Sequence, residues 1–219
     1  GRFKSIPDGQ PNGSAVANLS VLGYDPVQCF SGRGTLEAAS IGVDLAPDDV
    51  AMRCNLLCIN PDGTIKNHSA GHISTEESHQ LIRDLQRELG GRGDQPADFH
   101  AGVSFRHLLV LTGGWASADF ACAPPHDHVG EQEEDLLPRA LNPGAEATVQ
   151  RLVAIHRLAR EILADHPVNQ ARRERGQDPA NAMWVWSPGR RPTMQTFAQL
   201  YGKTGGVISA VDLIQGLGI

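Results

Sequence analysis

The order of the periodic segments in the middle of the chain constrains its fold more than any other sequence feature. Residues 50–59 alternate as a strand does, with Cys54 on one face and Arg53 and Asn55 on the other. The segments after it are predicted in this order: a helix over 74–89, strands over 97–101 and 104–111, a helix over 145–165 and a strand over 182–186. Both helices carry an apolar stripe and need a surface to cover.

This order predicts an α+β fold of the ferredoxin-like kind, a two-layer βαββαβ unit. An antiparallel sheet then carries both helices on one face, and its other face is left for a ligand or another domain. We also expect Pro167 to end the second helix and a last strand to form over 206–211. The first 45 residues hold two short helices, near 14–22 and 35–41, and have too few large apolar residues for a core of their own.

Charge and composition exclude several partner classes. The net charge of −6 argues against general binding of nucleic acid or of anionic membranes, and no apolar run is long enough to span a bilayer. The first residues lack the apolar run of a signal peptide, so the cytoplasm is the expected location. Five arginines against two acids between Arg172 and Arg191 leave a local anion site open.

Ser14 is the first candidate for chemistry, because it stands where a glycine-containing turn gives way to the first predicted helix. Backbone N–H groups and the helix dipole favour an anion there, so a phosphoserine intermediate would be stabilised. The alternative is that Ser14 only caps the helix.

Polar side chains on the predicted strands form a second set of candidates. Arg53 and Asn55 share one face of the first strand, and Arg106 and His107 lie within an otherwise apolar strand. A charge in such a run needs a partner, and either an anionic ligand or a structural ion pair would supply it.

Two loops add histidines. His72 lies directly before a predicted helix, where phosphate binds well, and the alternative is a solvent-facing loop histidine. Its spacing from His68 does not predict zinc, because the two lie outside a helix. His126 and Asp127 follow a proline pair, and a carboxylate beside an imidazole suits proton transfer, with an exposed polar loop as the alternative.

Taken together, these residues lie in blocks that resemble the archaeal-type, 2,3-bisphosphoglycerate-independent phosphoglycerate mutases of the alkaline phosphatase superfamily. The blocks are PNGS-x-VANLSVLGYDP (11–26), GRG-x-LEAAS (32–40), RCN (53–55), SAGHISTE (69–76), RHLL (106–109), PPHD (124–127), DHPVN (165–169), NAMWVW (181–186) and VISAVDL (207–213). Ordered blocks over nearly the whole chain are far more specific than any single motif.

The resemblance implies a glycolytic enzyme that interconverts 3- and 2-phosphoglycerate through a phosphoserine. Two divalent metal ions, Mn or Mg with Zn as a third option, serve the complete enzyme. The implied division is a nucleophile segment of the α/β phosphatase-like core over 1–45, an inserted substrate-covering domain over 46–206 and a return segment over 207–219. The implied partners are a small phosphorylated hydroxy acid and the rest of the enzyme's own chain, with neither nucleic acid nor membrane.

The resemblance also assigns roles to single residues. Ser14 matches the nucleophile, which also contacts a metal, although Ala15 replaces the acid usual after it. The substrate-binding candidates are Arg53, Asn55, His72, Arg106, His107 and Lys203, and the proton-transfer candidates are His126 and Asp127. Because the metal-binding strands lie outside this sequence, we expect these 219 residues to lack a complete metal site and to be inactive alone.

Two other functions stay open at this point. Some bacterial members of the family have been proposed to be homoserine kinases, so another small phosphotransferase reaction is one alternative. A binding module that holds anions without chemistry is the other.

Overall fold

A computed structural model describes residues 4–10, 13–91, 93–209 and 212–218. The elements in chain order are α1 (Ser14–Val21), α2 (Pro26–Cys29), α3 (Arg33–Ser40), β1 (Val50–Ile59), β2 (Ile65–Asn67), α4 (Thr75–Leu89), β3 (Ala97–Val103), β4 (Arg106–Leu111), β5 (Phe120–Ala121), β6 (Arg139–Ala140), α5 (Glu146–Ala164), α6 (Pro167–Glu174), β7 (Ala182–Gly189), α7 (Phe197–Tyr201) and α8 (Asp212–Leu217). Among these residues, no helix has the length and apolar character needed to cross a membrane.

The main sheet is antiparallel and runs in the order β3, β4, β1, β7, with the short β2 paired to the end of β1. This is the strand order of a βαββαβ unit, so the predicted ferredoxin-like α+β fold is confirmed. The register places Arg53 opposite Leu108 and Trp186, and Asn55 opposite Arg106 and Trp184. Since directly opposed residues share a face, these polar and aromatic side chains all lie on the same side of the sheet.

The other face of the sheet carries the main core. Leu81 and Leu85 of α4 and Leu152 and Ile155 of α5 pack in one cluster with alternate residues of the strands, such as Cys54. Both helices therefore cover the same face, as predicted. Ser74 caps α4 by accepting a hydrogen bond from the Glu77 N–H.

Helix α3 covers part of the second face, the face with Arg53. Ala38 packs there against Ala51, Leu108 and Val110. The helix lies directly on β1 at Gly34, where a Cβ atom would stand 2.5 Å from the Ala51 carbonyl oxygen. The predicted boundary between 1–45 and 46–206 stays a prediction, and α3 is in contact with the sheet across it.

Two local predictions differ from the structure. The second long helix ends at Ala164, before Pro167 as predicted, but Pro167 also begins the unpredicted α6, because a proline at the first helical position loses no hydrogen bond. The last predicted strand does not form in its described part, residues 206–209, and its final residues, Ala210 and Val211, lie outside the described residues.

Candidate functional site

Two arginines meet the ring of Trp186 on the second face. The Cζ atoms of Arg53 and Arg33 lie 4.4 Å and 5.3 Å from the ring centroid, both within cation–π distance. Arg53 stands opposite Trp186 on β1, whereas Arg33 comes from the first turn of α3. We define Arg33, Arg53, Asn55, His126 and Trp186 as the Trp186 patch.

One carboxylate holds both arginines. Glu37, one turn after Arg33, accepts a hydrogen bond from Arg53 Nε at 2.9 Å on Oε2 and one from Arg33 Nη2 at 3.3 Å on Oε1. The close contact of Gly34 with β1 brings this turn of α3 to the sheet. Two guanidinium charges therefore share one carboxylate charge.

Arg53 is deeply buried, at 5% exposure. The pKa of Arg53 is lowered to about 10, mainly by burial and also by the nearby Arg33 and Arg106, against the opposing effect of Glu37. Arg53 is still protonated at neutral pH. Among the described residues, only Glu37 accepts a hydrogen bond from its side chain, so the other N–H groups of Arg53 are left for water or a ligand.

The indole N–H of Trp186 fixes the ring by donating to Asn55 Oδ1 at 3.2 Å. Arg106 is paired opposite Asn55 on β4, and its Cζ atom lies 5.2 Å from the ring centroid of Phe105. Arg106 is therefore a neighbour of the patch on the same face.

His126 joins the patch from a loop. Its ring centroid lies 5.4 Å from that of Trp186. The loop is anchored by Trp184, whose indole N–H donates at 2.9 Å to the carbonyl of Ala123, just before the proline pair. Asp127 lies beside the patch, with Oδ1 3.7 Å from His126 Nε2.

A histidine group extends the patch around Phe105. The ring of His68 lies 6.1 Å from His126 and 5.9 Å from Phe105, and His72 lies 6.3 Å from Phe105. Burial lowers the pKa of His68, and the nearby His126 and His72 lower it further. The structure thus brings the predicted Arg53, Asn55, Arg106, His126 and His72 to one region.

The loop that carries His72 has an unusual backbone. Ala70, Gly71 and His72 have φ angles of 47°, 64° and 54°, the left-handed region that non-glycine residues rarely adopt. Asn67 Oδ1 holds the loop by accepting from the Gly71 N–H at 2.8 Å, and Arg172 donates to the Ala70 carbonyl at 2.7 Å. Such strain is typical of functional loops.

Other predicted site residues lie elsewhere. His107 is paired with Cys54, on the helix-covered face, where it accepts from the Gly102 N–H at 3.0 Å, and burial lowers the pKa of His107 to about 3. No contact among the described residues joins Ser14 or Lys203 to the patch, although both are exposed.

Ser14 begins α1 instead of capping it. The N-cap is Gly13, and Ser14 is the first helical residue, so the interpretation of Ser14 as a cap is wrong. Pro11 and Asn12 of the same motif lie outside the described residues.

The arginines of the basic run of residues 172–191 are spread over separate contacts with the protein. They are bound to protein groups: Arg172 and Arg175 to Glu77, Arg173 to the Ala164 carbonyl, Arg190 to the Asp48 and Ala116 carbonyls, and Arg191 to Asp44 and the Leu45 carbonyl. The charge count along the sequence does not show that these arginines are already engaged by protein groups.

The described residues do not by themselves fit the implied pair of metal ions. They include no group of three or more His, Cys, Asp or Glu side chains placed to hold a metal. Ser14 would give a single oxygen, whereas divalent ions bind several ligands.

Residues 1–169 match the sequence family of 2,3-bisphosphoglycerate-independent phosphoglycerate mutases. The chain belongs to this family. It is 47% and 48% identical, over its whole length, to the mutases of Methanosarcina acetivorans and Methanosarcina barkeri, and covers 52% of each. The solved cofactor-independent phosphoglycerate mutase of Thermoplasma acidophilum is 30% identical, with a TM-score of 0.69 over 95% of this chain and 55% of that one.

The family resemblance predicted from the motif blocks is therefore confirmed. The chain spans about half the length of the curated relatives it matches. Sequence reasoning missed three residues of this candidate site: Arg33, His68 and Trp186. Arg33 and Trp186 do lie in the family blocks, and that was the signal available, whereas His68 is recognised only from its ring contacts.

Proposed function

We propose that this chain forms the substrate-covering part of a phosphoglycerate mutase that interconverts 3- and 2-phosphoglycerate. The observation that carries the proposal is the Trp186 patch, in which the buried and protonated Arg53 has N–H groups left for a ligand. A substrate with a phosphate and a carboxylate needs donors from several chain segments. The patch draws them from α3, β1 and the His126 loop.

In the proposed reaction, Ser14 Oγ bonds to phosphorus while the bond from phosphorus to one substrate oxygen breaks, and the serine proton ends on that released oxygen. The other hydroxyl of the glycerate then bonds to phosphorus while the bond from phosphorus to Ser14 Oγ breaks, and the proton of that hydroxyl returns to Ser14 Oγ. Arg53 would neutralise the equatorial oxygens of the transferring group, the contribution expected to be largest. His126, with Asp127 beside it, would move the hydroxyl proton, and a closed cover would keep water from hydrolysing the phosphoserine.

Metal ions bound by the remainder of the enzyme would lower the charge repulsion during transfer. We expect the 219 residues alone to show no turnover, since they span about half of the relatives' length. Mutase activity of the isolated chain with added manganese would contradict this expectation.

The test uses the full-length enzyme with 3-phosphoglycerate and manganese. The wild type should form 2-phosphoglycerate, and Arg53→Lys should reduce kcat/KM by about 100-fold, because a lysine cannot reproduce the planar fork. Arg157→Lys is the matched control, since Arg157 is exposed and forms its ion pair with the exposed Glu134. Phosphorylation of homoserine from ATP, without mutase turnover, would overturn the proposal in favour of a kinase.

A further inference from the structure

The guanidinium of Arg33 has a buried N–H group that a purely structural role does not explain. Its Nε atom is buried and has no hydrogen-bond partner among the described residues. A buried N–H group without an acceptor is costly, and proteins rarely keep one without a reason. The same guanidinium is within 5.3 Å of the Trp186 ring centroid, beside Arg53.

Arg33 and Arg53 both form ion pairs with Glu37, and the pair with Arg33 has the longer distance. Arg33 Nη2 lies 3.3 Å from Oε1, whereas Arg53 Nε lies 2.9 Å from Oε2. The hydrogen bond from Arg33 to Glu37 is therefore the weaker of these two, and Arg33 can turn its guanidinium to another anion at little loss. The Arg33 side chain is partly exposed, so an incoming anion can reach it.

The backbone of Arg33 is held by a hydrogen bond, whereas the Nε atom of its side chain has no partner among the described residues. Its N–H donates at 2.9 Å to the hydroxyl of Ser187, a residue with a φ of 53° directly after Trp186. Gly32, with a φ of 151°, allows this approach, because a Cβ there would lie 2.1 Å from the Pro188 carbonyl oxygen. The start of α3 is thus attached to the end of the strand that carries Trp186.

We infer that Arg33 is a second substrate-binding arginine, which holds an anionic oxygen group of the phosphorylated hydroxy acid together with Arg53 at Trp186. The inference rests on the proposed function and names a further residue of the same site. A planar guanidinium offers paired donors that match phosphate and carboxylate oxygens. Because Arg33 lies on α3 and Arg53 on β1, a bound anion would also join α3 to the sheet.

The test compares the full-length wild type with Arg33→Gln and Arg33→Lys. For Arg33→Gln we expect kcat/KM for 3-phosphoglycerate to fall about tenfold to 100-fold, the loss of one charge-assisted hydrogen bond. The inhibition constant of inorganic phosphate should rise in parallel, and Arg33→Lys should recover part of both. Arg157→Gln, which removes an exposed arginine, should keep wild-type values.

Wild-type kinetics in Arg33→Gln would overturn the inference. So would a lowered thermal midpoint with unchanged phosphate affinity, because that result would assign Arg33 only to the support of Glu37. If the wild type lacks mutase turnover, the proposed function fails, and calorimetric titration with inorganic phosphate still decides the role of Arg33. Weaker phosphate binding in Arg33→Gln than in the wild type then supports it, and equal binding contradicts it.

Discussion

Arg53 and Arg172 are buried to nearly the same extent, at 5% and 2% exposure, yet their surroundings differ. Arg172 donates from Nε to the Asp178 carbonyl, from Nη1 to Glu77 and from Nη2 to the Ala70 carbonyl. Arg53 donates to Glu37 and otherwise stacks on Trp186. A buried arginine whose donors are used by the protein holds the structure together, and one whose donors are left over indicates a binding site.

The largest effect is expected at Arg172. Arg172→Met should lower the free energy of unfolding by about 3 kcal/mol or more, because it leaves the buried Ala70 carbonyl and the partly buried Asp178 carbonyl unpaired and removes an ion pair to Glu77. Urea denaturation of the full-length enzyme measures it. Arg157→Met, at an exposed position, should change stability by less than about 1 kcal/mol. If Arg172→Met and Arg157→Met lower the free energy of unfolding equally, Arg172 has no special structural role.

The fold could be predicted from the sequence more fully than the roles of the arginines. Periodicity predicted the βαββαβ order and the bounds of β1, because these depend on local patterns. The same reasoning could not tell Arg53 from the arginines of the 172–191 run, because both are positive charges in an ordered region. Which charge is already paired depends on contacts such as that of Arg172 with Ala70, 102 residues away.

Arg106 and His107 lie on opposite faces of the sheet, although they are adjacent in sequence. Arg106 and His107 are neighbours in sequence and were predicted as one binding set, but side chains of adjacent strand residues point to opposite faces. Arg106 lies on the face of the Trp186 patch, and His107 lies against the helices. The family blocks could not separate them, since both residues belong to the same block.

A second, smaller effect would sharpen the comparison between the two faces. Burial lowers the pKa of His107 from 6.5 to about 3, so the unfolded chain binds a proton that the folded chain does not bind between these values. The stability that His107 contributes is therefore present above about pH 6.5 and is lost as the pH falls toward 3. His107→Gln should weaken this pH dependence in denaturation curves recorded from pH 7 to pH 4. If His107→Gln instead loses turnover at pH 7 with unchanged stability, His107 takes part in substrate binding.

The smallest effect is expected at Trp186. Trp186→Phe keeps an aromatic face for Arg33 and Arg53 but removes the indole N–H that donates to Asn55. A weakened cation–π contact corresponds to about 0.5–1 kcal/mol, so kcat/KM should fall roughly twofold to fivefold. Trp186→Leu removes the ring and should have the larger effect. Equal kinetics for Phe, Leu and the wild type would show that the stacking does not serve binding.

The central claim is tested most directly by making the same substitution at both buried arginines of the full-length enzyme. Arg53→Lys and Arg172→Lys each keep a positive charge and lose the guanidinium fork, so kcat/KM and the thermal midpoint can be compared between them. We predict that Arg53→Lys loses about 100-fold in kcat/KM with a thermal midpoint near that of the wild type. We predict that Arg172→Lys lowers the midpoint by roughly 2–8 °C, with the smaller loss of kcat/KM. The reverse pattern, a destabilised Arg53→Lys with full kcat/KM, would contradict the account.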